Sequence, residues 1–175
     1  MPQFRLTRSM AKELKLTSLP TPADSSLIFY DDWYLDVFRL GRKKIVCCIH
    51  IRTRLAIAIL PSDIGGMKAL FEFFPFILKH HLHDCQLKDY KKIANEIDVF
   101  FRDRLPIFTK TNHLSAQSHM TQFKALLSAY MEKGSVINQS FCDTVSHHWL
   151  KWLIRLPNNP KDYTRPATLW QEHYN

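Results

Sequence analysis

Glycine is scarce here, 4 in 175 residues, and the only adjacent pair, Gly65-Gly66, lacks the lysine and hydroxyl residue that a phosphate-cradling loop requires. A glycine-rich nucleotide site is therefore not expected. Cysteine is equally sparse: Cys47, Cys48, Cys85 and Cys142 follow neither a disulfide framework nor a zinc-ligand spacing. Free, mostly buried thiols in a reducing cytoplasm are the expectation. No uninterrupted apolar run approaches a membrane span. The richest stretch, 69–82, carries Glu72, Lys79 and two histidines. The start, Met1-Pro2-Gln3-Phe4-Arg5-Leu6, has no apolar core of signal-peptide length, so no membrane association is expected. Internal repeats, low-complexity segments and a long basic arm are also missing.

What is present is a chain with 46% hydrophobic residues, enough to bury a core without staples. One domain over 1–175 is expected, with 1–109 carrying a strand-helix start, a meander and helices, and 110–175 carrying a polar loop and C-terminal helices. The net charge is +8, from 24 Lys+Arg against 16 Asp+Glu. That excess suits nucleic acid, an anionic surface or an acidic protein; it equally suits a solvated surface without a partner. Local clusters stand at Arg5/Arg8/Lys12/Lys15, at Arg39/Arg42/Lys43/Lys44 and at Arg52/Arg54.

Periodicity gives the fold class. Phe4-Arg5-Leu6 reads as a strand, and Thr7 or Ser9 caps a short helix to about Leu16. Runs 35–40, 43–51 and 54–60 alternate with a period of two: Ile45, Cys47, Ile49 and Ile51 share a face, as do Leu55, Ile57 and Ile59. Short links at Gly41 and Arg52-Thr53 make these an antiparallel meander, whose apolar face needs a helical cover. Pro61 ends the third run, and Ser62 or Asp63 caps a helix over 67–82 that is apolar all round and kinked or split by Pro75. Further expectations are helix or mixed structure over 88–101, a strand near 106–109, an amphipathic helix over 115–131 stopped by Gly134, a helix over 145–155, a turn at Pro157-Asn158-Asn159-Pro160 and a last helix over 167–173. The class is α+β: an antiparallel β-meander with an added N-terminal strand, covered by helices.

The polar loop Lys110-Thr111-Asn112-His113-Leu114-Ser115-Ala116-Gln117-Ser118-His119-Met120 lies between two apolar elements, where function commonly sits. Lys110, His113 and His119 are candidates for phosphate clamp, acid and base. The competing reading has Asn112 and Ser115 closing a turn and capping the next helix. Arg39, Arg52 and Arg54 are candidate phosphate contacts on a sheet face shared with Cys48 and His50, if that face is solvated. His80-His81-Leu82-His83-Asp84-Cys85 yields two-ligand fragments only, and no metal or other cofactor is expected. Asp31-Asp32 reads as a turn or cap rather than an acid pair. Trp149, Trp152 and Trp170 either anchor a partner or complete the core.

Four places resemble a bacterial domain-of-unknown-function family, number 6933, whose members occur alone or attached to a plasmid ORF-3-like domain. They are Phe4-Arg5-Leu6-Thr7 with Ala11-Lys12-Glu13-Leu14, Asp32-Trp33-Tyr34 leading into 38–44, Lys110-Thr111-Asn112 with Ser115 and Met120, and Leu156-Pro157 with Tyr163 and Pro166-Ala167. The chain departs from the family pattern at Leu114, Ser118 and Thr121-Gln122. The resemblance implies a shared fold and a mobile-element setting, and supplies no reaction.

The resulting expectation is a small basic cytoplasmic binding module, non-enzymatic, for nucleic acid or a partner protein, through Arg39, Arg52, Arg54, Lys110, Asn112 and Ser115. The alternatives are an RNase-like enzyme using Lys110, His113 and His119, or an antitoxin or adaptor that binds only protein. Oligomeric state is not legible in the sequence.

Overall fold

The computed structural model describes residues 1–23, 28–102, 104–132, 134–156 and 159–174. Strand β1 (Gln3–Leu6) is buried throughout and leads into α1 (Arg8–Glu13), where the Thr7 hydroxyl accepts from the Met10 amide at 3.1 Å. Strands β2 (Asp32–Leu40), β3 (Lys43–His50) and β4 (Ala56–Ile59) form the antiparallel meander. Helices α2 (Leu70–His83) and α3 (Tyr90–Arg102) precede β5 (Ile107–Lys110). Helices α4 (Leu114–Glu132) and α5 (Gln139–Leu150), a hairpin of β6 (Ile154–Leu156) and β7 (Asn159–Thr164), and α6 (Pro166–Tyr174) complete the chain. Among the described residues, no helix is long and apolar enough to cross a membrane.

The five-stranded sheet has the order β4-β3-β2-β1-β5. The meander with an added N-terminal strand is present, and β1 runs parallel to both of its neighbours, β2 and β5. One sheet face sets Phe4, Trp33, Leu35, Val46, Cys48 and Ile57 against α2, α3 and α6 through Phe74, Ile97 and Trp170. The other sets Ile45, Cys47, Ile49, Ala56 and Ala58 against α4 and α5 through Met120, Phe123, Val145 and Trp149. Each such fully buried aliphatic or aromatic side chain contributes about 1.5–3 kcal/mol by leaving water. The four cysteines are free and buried.

Several expectations are corrected. Both sheet faces are covered, not one, because β3 carries the continuous apolar run Ile45-Val46-Cys47-Cys48-Ile49 and has a core on each side. The face of Cys48 and His50 is therefore not solvated; both side chains are fully buried. The Nε2–H of His50 donates to the Phe29 carbonyl at 2.7 Å, its Nδ1 pairs with the Thr53 hydroxyl at 2.8 Å, and burial pushes its pKa down to about 3. Helix α2 passes through Pro75 without a break, giving up one backbone hydrogen bond, and is not buried all round: Phe73 and Phe76 are exposed. Neither Ser62 nor Asp63 caps it; both lie in a 3₁₀ turn over Pro61–Asp63, and the Asp63 carboxylate accepts from the Gln139 amide at 2.9 Å. Helix α1 stops at Glu13, where Lys15 turns left-handed (φ 58°).

Helix α5 starts six residues before the expected 145, capped by the Asn138 carboxamide accepting from the Phe141 amide at 2.8 Å. It also ends earlier, and Arg155 lies in β6 instead. Asn159 opens β7 rather than closing a turn; Pro157 and Asn158 lie outside the described residues. Trp149 and Trp170 complete the core, so only Trp152 of the three candidate anchors is exposed.

Candidate functional site

Strand register aligns Thr109, Arg5, Tyr34, Ile49 and Ala56 in one row across the sheet. Alternation points Arg5 away from Phe4 and Leu6, towards the α4 side. A guanidinium buried there, 8% exposed, needs a counter-charge. Asp32, at the start of β2 and two residues before Tyr34, supplies it. Arg5 Nε donates to Asp32 Oδ1 at 2.8 Å and Nη2 to Oδ2 at 2.5 Å, a side-on bidentate pair. Arg5 Nη1 donates to Asn112 Oδ1 at 2.8 Å, which ties the polar loop to the sheet. Asp32 is thus an ion-pair partner rather than a turn or cap residue. The Tyr34 phenol, bordering Thr111, is pushed up to about 12, mainly by burial.

Arg54 sits in the turn between β3 and β4 with φ 60°. Its backbone is fixed on both sides: the amide donates to the His50 carbonyl at 3.0 Å, and the carbonyl accepts from Trp149 Nε1 at 2.8 Å. Its side chain is buried, 3% exposed, and Nη2 donates to Ser115 Oγ at 3.2 Å. Its Nε and Nη1 meet no acceptor among the described residues, and no carboxylate pairs with it there. Burial pushes its pKa down to about 10, which leaves it charged at neutral pH.

The polar loop packs over these two arginines. His113, not Asn112 or Ser115, caps α4: its Nδ1 accepts from the Ala116 amide at 3.3 Å, and its carbonyl accepts from the Gln117 amide at 3.1 Å. An accepting Nδ1 requires the neutral ring with its proton on Nε2. Burial, then the charges of Arg54 and Arg5, lower its pKa. His119 donates from Nδ1 to the Ser115 carbonyl at 2.8 Å, and burial again lowers its pKa, with Arg54 adding to the effect. The two histidines therefore share Arg54 as a neighbouring charge, and both are neutral at pH 7.

Lys110 does not join them. It pairs in register with Leu6, and its exposed side chain lines a groove of about 700 Å³ on the α1 side. Leu6, Ala11, Leu16 and Leu19 line that groove together with Arg8, Lys12, Lys15 and Lys110, and no acidic residue does among the described residues. Among the described residues none of these four cations is held in an ion pair. Thr111 borders both the groove and Tyr34, so the loop joins an exposed cationic groove to a buried arginine seam.

Of the other candidates, Arg39 is exposed opposite Lys44 and Arg52 lies over the Phe29 ring at 5.8 Å. Arg54, Asn112 and Ser115 are brought together there. The sequence reading missed Arg5 and Tyr34 as members of the seam. The signal was present in Phe4-Arg5-Leu6: an arginine alternating with apolar residues in a buried strand demands a partner.

In the 80–85 segment, His81 is fully buried, with Nε2 3.7 Å from Asp143, and its pKa is pushed down to about 4. Asp84 pairs with His147 at 2.9 Å. Among the described residues no group of three His, Cys, Asp or Glu side chains is arranged to hold a metal ion.

Fold and site together define a small α+β fold built round an arginine seam under the β5–α4 loop. A family model for a domain of unknown function (DUF6933) matches residues 3–169, and the chain belongs to that family. No curated protein and no solved structure matches it.

Proposed function

We propose that this chain is a non-enzymatic binding module for nucleic acid, engaged through the groove between α1 and β5. The observation that carries the reading is the groove itself: Arg8, Lys12, Lys15 and Lys110 gathered over an apolar floor, with no acid among the described lining residues. Exposed cations of this kind bind phosphates by releasing counterions, and the apolar floor suits base faces. The four free thiols fit a cytoplasmic setting, and the mobile-element origin suggested by the family resemblance belongs to the same proposal. Fluorescence anisotropy with single-stranded oligonucleotides tests it. Binding should weaken with salt, with a log–log slope of about −3 if four phosphates are neutralised. The triple variant Lys12→Glu, Lys15→Glu, Lys110→Glu should lose binding while keeping its circular dichroism. Binding that is absent, or indifferent to salt and to these changes, overturns the reading and favours a protein-only adaptor or antitoxin.

One observation favours the RNase-like reading as second choice: the charge of Arg54 acts on both His113 and His119. Acid–base cleavage needs one of them protonated, and their lowered pKa values work against that at neutral pH. RNA cleavage by the pure protein, lost in His113→Ala and His119→Ala variants that remain folded, would establish it. No cleavage of any RNA retires it.

A further inference from the structure

We propose that Arg54 anchors a second binding site, for one phosphate group, either inorganic or the monoester end of a larger molecule, seated under the loop that joins β5 to α4. The site is separate from the cationic groove and stands whether or not the groove binds nucleic acid.

Two arginines lie in the same seam and are treated differently. Arg5 is neutralised: both Asp32 oxygens and the Asn112 carbonyl oxygen take its donors. Asp32 is drawn to Arg5, and no hydrogen bond or ion pair joins it to Arg54. Arg54 is the more buried of the two and has only the Ser115 hydroxyl, at 3.2 Å, against Nη2. Its Nε and Nη1 find no acceptor among the described residues. A full positive charge out of water without a counter-charge is costly, and its backbone hydrogen bonds to His50 and from Trp149 prevent the turn from swinging it out to solvent. An anion at this point removes the cost.

The donor set selects the anion. Nε and Nη1 lie on different edges of the guanidinium plane, and the Ser115 hydroxyl adds a third direction. A carboxylate has two oxygens in one plane; a phosphate offers three or four acceptors in three dimensions. Thr111 and Asn112 belong to neither β5 nor α4, so the site needs only a loop displacement to admit an anion.

The test is a titration of the full chain, labelled with ¹⁵N-arginine, with inorganic phosphate at constant ionic strength. The Arg54 Nε–H resonance is followed by NMR, with the melting temperature in parallel. The expected result is a saturable shift of that resonance and a rise in melting temperature, reproduced by a nucleoside 5′-monophosphate if monoesters are accepted. Chloride should produce neither. Arg54→Met should abolish the response and raise the melting temperature of the phosphate-free protein, since it removes a buried unpaired charge. Ser115→Ala should weaken phosphate binding several-fold. The Lys12→Glu, Lys15→Glu, Lys110→Glu variant should keep the response, which separates this site from the groove. An Arg54 resonance in the wild-type chain unmoved by saturating phosphate overturns the proposal, as water then fills the role. So does an equal response to chloride or acetate.

Discussion

The two faces of the sheet are built from the same strands and solve opposite problems. On the α2 and α3 side, Phe4, Trp33 and Phe74 meet edge to face: Phe4 and Phe74 ring centres are 5.3 Å apart and those of Trp33 and Phe74 4.9 Å. His50, buried among these rings, is held by the Phe29 carbonyl and the Thr53 hydroxyl, and the rest of the energy there is dispersion and dehydration. On the α4 side the strands of the meander are mostly apolar, but β1, β5, the start of β2 and the β3–β4 turn carry Arg5, Thr109, Asp32 and Arg54. Strand β1 alone shows the contrast, with Phe4 and Leu6 in one core and Gln3 and Arg5 facing the other way. The apolar face therefore sets stability, while the polar end stores interactions that are strong only while every member is satisfied.

That contrast can be broken at several points. Trp33→Ala should be the most damaging change, costing about 5 kcal/mol in urea unfolding, because it empties the centre of the aromatic face. Asp32→Ala should cost about 3–4 kcal/mol, as it strands the Arg5 charge. The double variant Arg5→Met, Asp32→Leu should return close to wild type in the same assay. A double variant no better than the single one would mean that the seam is held by something other than charge pairing.

Acid should act mainly through the buried histidines. His50, His81, His113 and His119 all have folded-state pKa values below the unfolded value, so the unfolded chain takes up protons first as pH falls. Their contribution is fully present above about pH 6.5 and is lost progressively below it, His50 releasing about 2 kcal/mol by pH 5. A pH series of melts on wild type and His50→Gln checks this, the variant giving the flatter curve. The smallest effect expected is at the helix cap: His113→Ala should cost about 1 kcal/mol and His113→Asn restore most of it.

How much of this was legible in the sequence follows from what each signal is made of. The meander showed because alternation in 35–60 is a local property. Burial of both faces was written in the unbroken apolar run of β3, yet pointed to one face when only alternate residues were read. The β6–β7 hairpin was missed because Ile154-Arg155-Leu156 is too short to show a period. Within the site, Asn112 and Ser115 were legible as loop residues with donors and acceptors. Their partners Arg5 and Arg54 were not, because pairing between residues 5 and 112, or 54 and 115, depends on strand order, and strand order leaves no local trace. Arg54 looked like a surface cation from its Arg52 neighbour; the left-handed turn that drives it inward is a single-residue event.

The parallel placement of β1 between β2 and β5 has a consequence in time. Strand β1 leaves the ribosome before both of its neighbours, one arriving about thirty residues later and the other only with residues 107–110. Until then an edge of β1 lies open, its backbone N–H and C=O groups without their β5 partners. Closing that gap spans 107 residues of chain between Arg5 and Asn112, the kind of distant pairing that slows folding and exposes nascent chains to misassembly. The arginine seam is therefore assembled late, and a ribosome stalled before β5 would hold a chain with its meander formed and its site still open.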